Sequence, residues 1–224
     1  MSRVLTIDID YIWHNVTDNS FVPQIDTIKK YQRYEELPNN YNYVNIDQGN
    51  LLYIWEVYTK ALEVCSNVSF CHYHDAILFE LLQEKYRQID LINIDHHHDI
   101  FYHMEELPEI NIDEGNWIIR LCQLDLLSTY TWIKNEDSED FELGQRYEDL
   151  MKIVPGVDGW LYHPILRTDY TFTNFKFDHI NICLSPTNMS DTQWHYFDMF
   201  HIAYKNYYRK EPTIIGEGYG RCDA

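Results

Sequence analysis

One stretch decides the fold that this sequence predicts, the run Leu91-Ile92-Asn93-Ile94-Asp95-His96-His97-His98-Asp99. Its first four residues are mostly apolar and have the length of a short buried strand. Because side chains alternate along an extended chain, Asp95, His97 and Asp99 are expected to point to one side. Such donors suit a divalent ion of the Mn or Zn type. The alternative is a histidine run on a solvated loop, but ionisable groups directly after a buried strand are costly without a partner.

The composition limits the classes of partner. The chain has 224 residues, of which 45% are hydrophobic, so one sizeable core can form. A formal net charge of -19 argues against nucleic acid and favours a cationic partner, or simply a soluble surface. Five scattered cysteines without a close pair predict reduced thiols in the cytoplasm. No stretch is long enough to span a membrane, and no signal-peptide core is present.

The beginning of the chain predicts a second group of acids at a strand end. Residues 4–9 are β-branched and alternating, which is typical of a buried strand. Asp8 and Asp10 stand one residue apart, so on a strand both would share a face and reach one site. The alternative is that both acids cap a turn where the strand meets solvent.

Two further strands predict a βαβ unit. Residues 67–71 form an apolar strand that ends at His72 and His74, and residues 76–86 have helical periodicity. The strand that begins at Leu91 then follows. This order is typical of a parallel sheet, in which ligands collect at the carboxyl ends of the strands. All three ionisable clusters lie at such ends, which predicts a metal site.

The remaining segments favour one α/β domain. Residues 50–63 and 190–207 predict amphipathic helices, residues 130–134 and 179–184 predict strands, and residues 156–177 predict a β excursion or hairpin. Neither an internal repeat nor a domain boundary is evident. We therefore expect residues 1–224 to form a single domain, a mostly parallel sheet with helices on both faces.

The pattern Asp95-x-His97-x-Asp99 resembles the metal signature of the arginase–deacetylase superfamily, in which Asp-Ala-His-x-Asp follows a buried strand. Arginases carry a further histidine ligand at the end of an earlier strand, and His74 is the counterpart here, with His72 as the second choice. Asp-x-Asp completes the arginase site on a later strand. Its counterpart stands in the first strand of this chain, which implies a rearranged strand order.

The layout resembles a small arginase-like family. Some of its members are peptide arginases, which convert arginine to ornithine in ribosomally made peptides. The resemblance implies an arginase-like three-layer sandwich, a metallohydrolase that binds two Mn²⁺ ions, and an arginine-containing precursor peptide as the partner. Hydroxide formed from a water between the ions would attack the guanidinium carbon and release urea.

The resemblance also implies a ligand set. One ion would be bound by His74, Asp95, Asp99 and Asp8, and the other by Asp95, His97, Asp8 and Asp10. We count Asp99 among the catalytic residues as well.

Arginases need further catalytic groups besides the metal ligands. An acid holds the guanidinium, and Glu114 and Glu217 are the two candidates for it. A histidine moves protons, and His98 is the candidate, with His96 and His103 near in sequence.

Other functions fit the same residues. The substrate would be a small guanidino compound, such as free arginine or agmatine, or an acyl-lysine as in the deacetylases. In a reading from another class, the chain is a non-catalytic, metal-stabilised module that binds a basic peptide.

Overall fold

The computed structural model describes residues 1–14, 45–83, 86–100, 115–136, 138, 161–185 and 194–215. The strands in these residues are β1 Ser2–Asp8, β2 Trp13–His14, β3 Asn45–Ile46, β4 Val68–Cys71, β5 Ile89–Ile94, β6 Leu127–Lys134, β7 Leu161–Leu166, β8 His179–Cys183 and β9 Thr213–Ile215. The helices are α1 Gln48–Leu62, α2 Ala76–Gln83, α3 Trp117–Gln123 and α4 Trp194–Tyr208, and a 3-10 helix spans Ile9–Ile12.

Seven of these strands form one parallel sheet in the order β7-β6-β5-β1-β8-β4-β9. The first strand of the chain lies in the middle of the sheet, between β5 and β8. Strands β2 and β3 form a separate antiparallel pair. Pro164 lies in β7, an edge strand of the sheet, where a residue without a backbone N–H is tolerated.

The central strands are buried on both faces, which is why they read as nearly continuous apolar runs. All residues of β4 and β8 are buried, as are the last five of β1. On one face, Ile54 of α1 and Phe200 of α4 belong to the same apolar cluster as Ile7 and Ile182. On the other face, α2 and α3 contribute Leu78 and Trp117 to a second cluster. These layers confirm the predicted α/β sandwich.

Helix α1 begins where the sequence supplies a cap. Asp47 precedes its first turn, and a side-chain oxygen of Asp47 accepts a hydrogen bond of 2.7 Å from the backbone N–H of Asn50. This bond satisfies one of the donors that a helix start leaves without an intrahelical partner. The helix therefore begins at Gln48 and runs close to the range predicted from the apolar periodicity.

The β excursion or hairpin predicted over residues 156–177 is only partly correct. Its described part contains one strand, β7, but residues 168–173 form a turn and extended chain outside the sheet. The strand of this region is β7, and it pairs in parallel with β6. Tyr170 and Phe172 instead pack edge to face and cover the apolar cluster of α1. Alternation of aromatic residues therefore reflects packing on the core here, not pairing within a sheet.

Within the described parts of the chain, no helix has both the length and the apolar character needed to cross a membrane.

The sheet predicts a difference in stability between two isoleucines. Ile182 lies fully buried in β8, whereas Ile202 on α4 is 56% exposed. We expect Ile182→Ala to lower the free energy of unfolding by about 2–5 kcal/mol, because it leaves a cavity beneath α4. The matched variant Ile202→Ala should change it by less than about 0.5 kcal/mol. Urea denaturation measures both values, and equal losses would contradict the core described here.

Candidate metal centre

The candidate site lies at the carboxyl ends of four adjacent strands, β5, β1, β8 and β4. Asp8 ends β1, Asp95 follows β5, His74 follows β4, and Ser185 follows β8. Strand β1 lies between β5 and β8, and the chain passes from β4 on one side of β1 to β5 on the other. This crossover lies at the candidate site. Parallel sheets bind ligands at such a crossover, because the loops on its two sides diverge and leave a crevice.

Asp10 reaches the site by a different route from the one that we predicted. Strand β1 ends at Asp8, and Asp10 lies in the 3-10 helix that follows. The backbone N–H of Asp10 donates to Asp8 Oδ1 over 3.0 Å. A tight turn therefore brings the two acids together. The predicted alternation along a strand does not account for the position of Asp10.

His74 lies against three carboxylates. Its Nδ1 is 2.8 Å from Asp99 Oδ2, 3.1 Å from Asp95 Oδ2 and 3.5 Å from Asp8 Oδ2. The side chain is 1% exposed, and neither ring nitrogen makes a hydrogen bond of acceptable geometry within the described part of the chain. A buried imidazole that faces oxygen atoms without hydrogen-bonding to them is an arrangement that a shared cation would satisfy.

A second group contains His97, Asp10 and Asp95. His97 Nδ1 is 3.0 Å from Asp10 Oδ2 and 3.9 Å from Asp95 Oδ1. Asp95 therefore directs Oδ1 toward this group and Oδ2 toward His74. One carboxylate with its two oxygens in two donor groups has the geometry of a bridging ligand.

Asp99 is held in an unusual backbone conformation. Its φ is 52°, in the left-handed region that few residues other than glycine adopt. The indole Nε1 of Trp117 donates to Asp99 Oδ2 over 2.8 Å. The same ring lies 5.0 Å from the His74 ring. Trp117 therefore orients both side chains, and the strain in Asp99 is typical of a functional site.

Burial and mutual repulsion control the charges of the acids. Burial raises the pKa of Asp99 to about 8, helped by the neighbouring charge of Asp95. Burial also raises the pKa of Asp8 well above its ordinary value, together with the charges of Asp10 and Asp95. For Asp95, the opposing effect of His74 outweighs burial and lowers its pKa.

Burial affects the pKa values of the two histidines in the opposite direction from those of the acids. Burial alone would lower the pKa of His74 and of His97. The adjacent carboxylates outweigh this effect, hold the pKa of His74 well above its ordinary value and raise that of His97 to about 10. In the metal-free protein, protons therefore fill the role that a divalent cation would take.

The donor atoms fit divalent metal. Three sets of described residues place one donor atom each within 4.8 Å of the others, namely Asp8 with His74 and Cys183, Asp10 with Asp95 and His97, and His74 with Asp95 and Asp99. All six predicted ligands belong to these sets. Imidazole nitrogen and carboxylate oxygen are donors of Mn²⁺ and Zn²⁺ sites.

The second-choice ligand, His72, belongs to none of these three sets of described residues. Its ring is 6.2 Å from the ring of Phe197 on α4.

The candidate proton shuttle does not have a free imidazole. His98 Nδ1 accepts the backbone N–H of Ile100 over 3.0 Å, and its ring packs edge to face on Trp132. That nitrogen is therefore occupied by the loop itself. The ring of His96 lies 4.9 Å from the ring of His97. Burial lowers the pKa of His96, and the charge of His97 lowers it further. Glu114, Glu217 and His103 lie outside the described residues.

Sequence reasoning missed the residues that support the ligands. Ser185, whose φ of 46° is also left-handed, donates its hydroxyl hydrogen to Asp8 Oδ2. Asn93 donates to Asp95 Oδ2 over 3.1 Å and to the Tyr130 hydroxyl over 3.2 Å. No acid ends β8, so nothing in the pattern drew attention to Ser185.

A sequence signal for this support does exist. Each of the four central strands carries a buried polar residue near its carboxyl end: Thr6, Ser69 and Asn181 two positions before the last residue of the strand, and Asn93 one position before it. They form a row across the sheet, since Thr6 is in register with Asn93 and Asn181, and Ser69 with Asn181. Their side chains are linked by Thr6 to Asn93 at 2.5 Å and Asn181 to Ser69 at 3.0 Å.

No protein-family model, curated protein or solved structure matches this chain. The resemblance to arginases therefore stays a hypothesis, and the metal centre rests on the donor atoms themselves.

The charges of the site predict that metal uptake releases protons. Asp99 and His97 keep their protons up to about pH 8 and about pH 10 in the metal-free protein, and an ion must displace them. We expect the affinity for Mn²⁺ to rise as the pH increases from 6 to 8. Calorimetric titration in two buffers of different ionisation enthalpy measures the protons released. An affinity that does not change with pH, without proton release, would contradict this.

Proposed function

We propose that this protein is a metal-dependent hydrolase that converts arginine side chains of a ribosomally made peptide to ornithine and urea. One observation supports it above all: the two oxygens of Asp95 face two donor groups, one with His74 and one with His97. Such a carboxylate would hold two ions at the short separation that two-metal hydrolytic sites have. The resemblance of Asp95-x-His97-x-Asp99 to the arginase signature motivates the choice of substrate.

The contacts support the proposed division of ligands to different degrees. His74, Asp99 and Asp95 Oδ2 surround one position, and Asp8 Oδ2 approaches it from β1. His97, Asp10 and Asp95 Oδ1 surround the other. The carboxylates of Asp8 and Asp95 also both accept hydrogen bonds on each oxygen. Asp8 accepts them from the N–H of Asp10 and the hydroxyl of Ser185, and Asp95 from the N–H of His97 and the side chain of Asn93.

Two bound Mn²⁺ ions would supply a nucleophile at neutral pH by lowering the pKa of a water that they share. The chain's own residues do the rest. Trp117 and Asn93 fix the orientation of Asp99 and Asp95 through hydrogen bonds to one oxygen of each. Because both donors are buried, the carboxylates cannot rotate away as substrate enters.

The charge of the protein supports a cationic substrate. With a net charge of -19, the surface attracts an arginine-containing peptide and repels acidic competitors. Glu114 and Glu217 remain the proposed acids for holding the guanidinium. A cytoplasmic location is supported by four cysteines that are free and buried: Cys65, Cys71, Cys122 and Cys183.

The proposed reaction predicts a defined mass change. We expect an arginine-containing peptide, incubated with protein loaded with Mn²⁺ or Zn²⁺, to lose the mass of urea minus that of water at each converted arginine. Mass spectrometry of the peptide and an assay of urea measure the two products. Asp95→Asn should abolish both, since it removes the shared carboxylate.

Asp90→Asn is the matched control. Asp90 lies near the beginning of β5, the strand that Asp95 follows. It forms an ion pair with Arg3 at 3.4 Å. This variant should keep the activity. Urea released only from free arginine would indicate an enzyme that acts on small guanidino compounds. Acetate released from acetyl-lysine would indicate a deacetylase. A metal-loaded protein that is inert on all three substrates would contradict a hydrolase and favour a non-catalytic module.

A further inference from the structure

A thiol lies beside the candidate ligands and has no role in the proposed reaction. Cys183 ends β8, is fully buried, and is in register with Asp8 on β1 and with Cys71 on β4. One donor atom each from Cys183, Asp8 and His74 lies within 4.8 Å of the other two. Sulfur, nitrogen and oxygen donors therefore meet on the β8 side of the site.

The contacts of the Cys183 thiol are weak. Its sulfur is 3.6 Å from the carbonyl oxygen of His72 and 3.5 Å from the hydroxyl oxygen of Ser185. Cys71, its neighbour on β4, is better bound, since its thiol donates to Asn181 Oδ1 over 3.3 Å. Cys183 is thus the thiol of this pair that lies beside Asp8.

His74 provides an independent indication of a ligand. It is 1% exposed, and both ring nitrogens lack a hydrogen-bond partner among the residues that the structure describes. It belongs to the carboxylate set with Asp95 and Asp99 and also to the set with Cys183. An ion bound between these donors would satisfy a buried imidazole that both sets share.

We propose that Cys183 is a sulfur ligand of the ion bound by His74 and Asp8, and that this position selects Zn²⁺ over Mn²⁺. On binding, the S–H bond breaks, a sulfur–metal bond forms and the proton leaves to solvent, with no change of oxidation state. The proposal rests on the metal centre of the proposed function, but not on its substrate.

The two positions would then differ in the ion that they prefer. Thiolate is a soft donor that favours Zn²⁺, whereas Mn²⁺ favours carboxylate. The set of Asp10, Asp95 and His97 contains no sulfur and suits Mn²⁺. A mixed pair, zinc beside β8 and manganese beside the 3-10 helix, follows from this placement of donors.

Cobalt substitution tests the proposal directly. Co²⁺ replaces Zn²⁺, and a thiolate bound to it adds a charge-transfer absorption in the near ultraviolet to the visible bands of the ion. We expect this absorption in the wild-type protein and its loss in Cys183→Ser, which should keep the visible bands. The matched variant Cys122→Ser, in a buried thiol on α3, should keep both.

Each other outcome has a defined meaning. Visible bands without the sulfur absorption in the wild-type protein would overturn the role of Cys183 and leave the metal centre of the proposed function intact. No binding of Co²⁺ would overturn both. A sulfur absorption that persists in Cys183→Ser would assign the ligand to another thiol and overturn the proposal.

A second measurement does not depend on the folding of a variant. Zinc K-edge X-ray absorption of the wild-type protein should show a sulfur neighbour at about 2.3 Å. A shell of nitrogen and oxygen neighbours alone would overturn the proposal.

Discussion

Four carboxylates buried at one edge of the sheet are the constraint on which this structure depends. Asp8, Asp10, Asp95 and Asp99 are each at most 3% exposed. Removing an ionised carboxylate from water costs several kcal/mol, and neighbouring like charges add to that cost. Two histidines cannot neutralise four such groups. Protons, which the raised pKa values of Asp8 and Asp99 favour, or divalent cations would balance these charges.

The fold supports this charge cluster from below. The polar row of Thr6, Ser69, Asn93 and Asn181 lies directly beneath the ligands and places buried hydrogen-bonding groups where an apolar core would leave the acids unsupported. Trp117 from α3 and Ser185 from β8 complete the support, because each donates a hydrogen bond to one acid. Four strands and one helix thus contribute to a single site, so that its geometry is fixed by the core of the sheet.

The sequence predicted the sheet and the strand ends because burial leaves a local signal. Residues 4–9, 67–71, 91–94 and 179–184 are short apolar runs that lie inside the parallel sheet. The ionisable residues at the ends of the first three runs lie at its carboxyl edge. The details depended on tertiary structure. A 3-10 turn brings Asp10 to the site, and Asp99 has a left-handed backbone conformation. At both positions the sequence predicts strand alternation instead.

Other features carried too weak a local signal to be found. Strand β9 is three residues long and is stabilised by its pairing with β4. The aromatic alternation of residues 168–173 looked like a strand, yet these side chains pack on the core. Cys183 and Ser185 are ordinary residues in the sequence and gain significance only because β8 lies beside β1. The local sequence pattern does not show which strands, distant in sequence, lie side by side in the sheet.

In the proposed metal centre, Asp95 would share its two oxygens between two ions. A direct test is anomalous diffraction at the manganese and zinc absorption edges from crystals of protein saturated with Mn²⁺ and Zn²⁺ together. The account predicts two anomalous peaks about 3.5–4 Å apart, one beside His74 and one beside His97, with the Asp95 carboxylate between them. A single peak, or peaks away from Asp95, would contradict it.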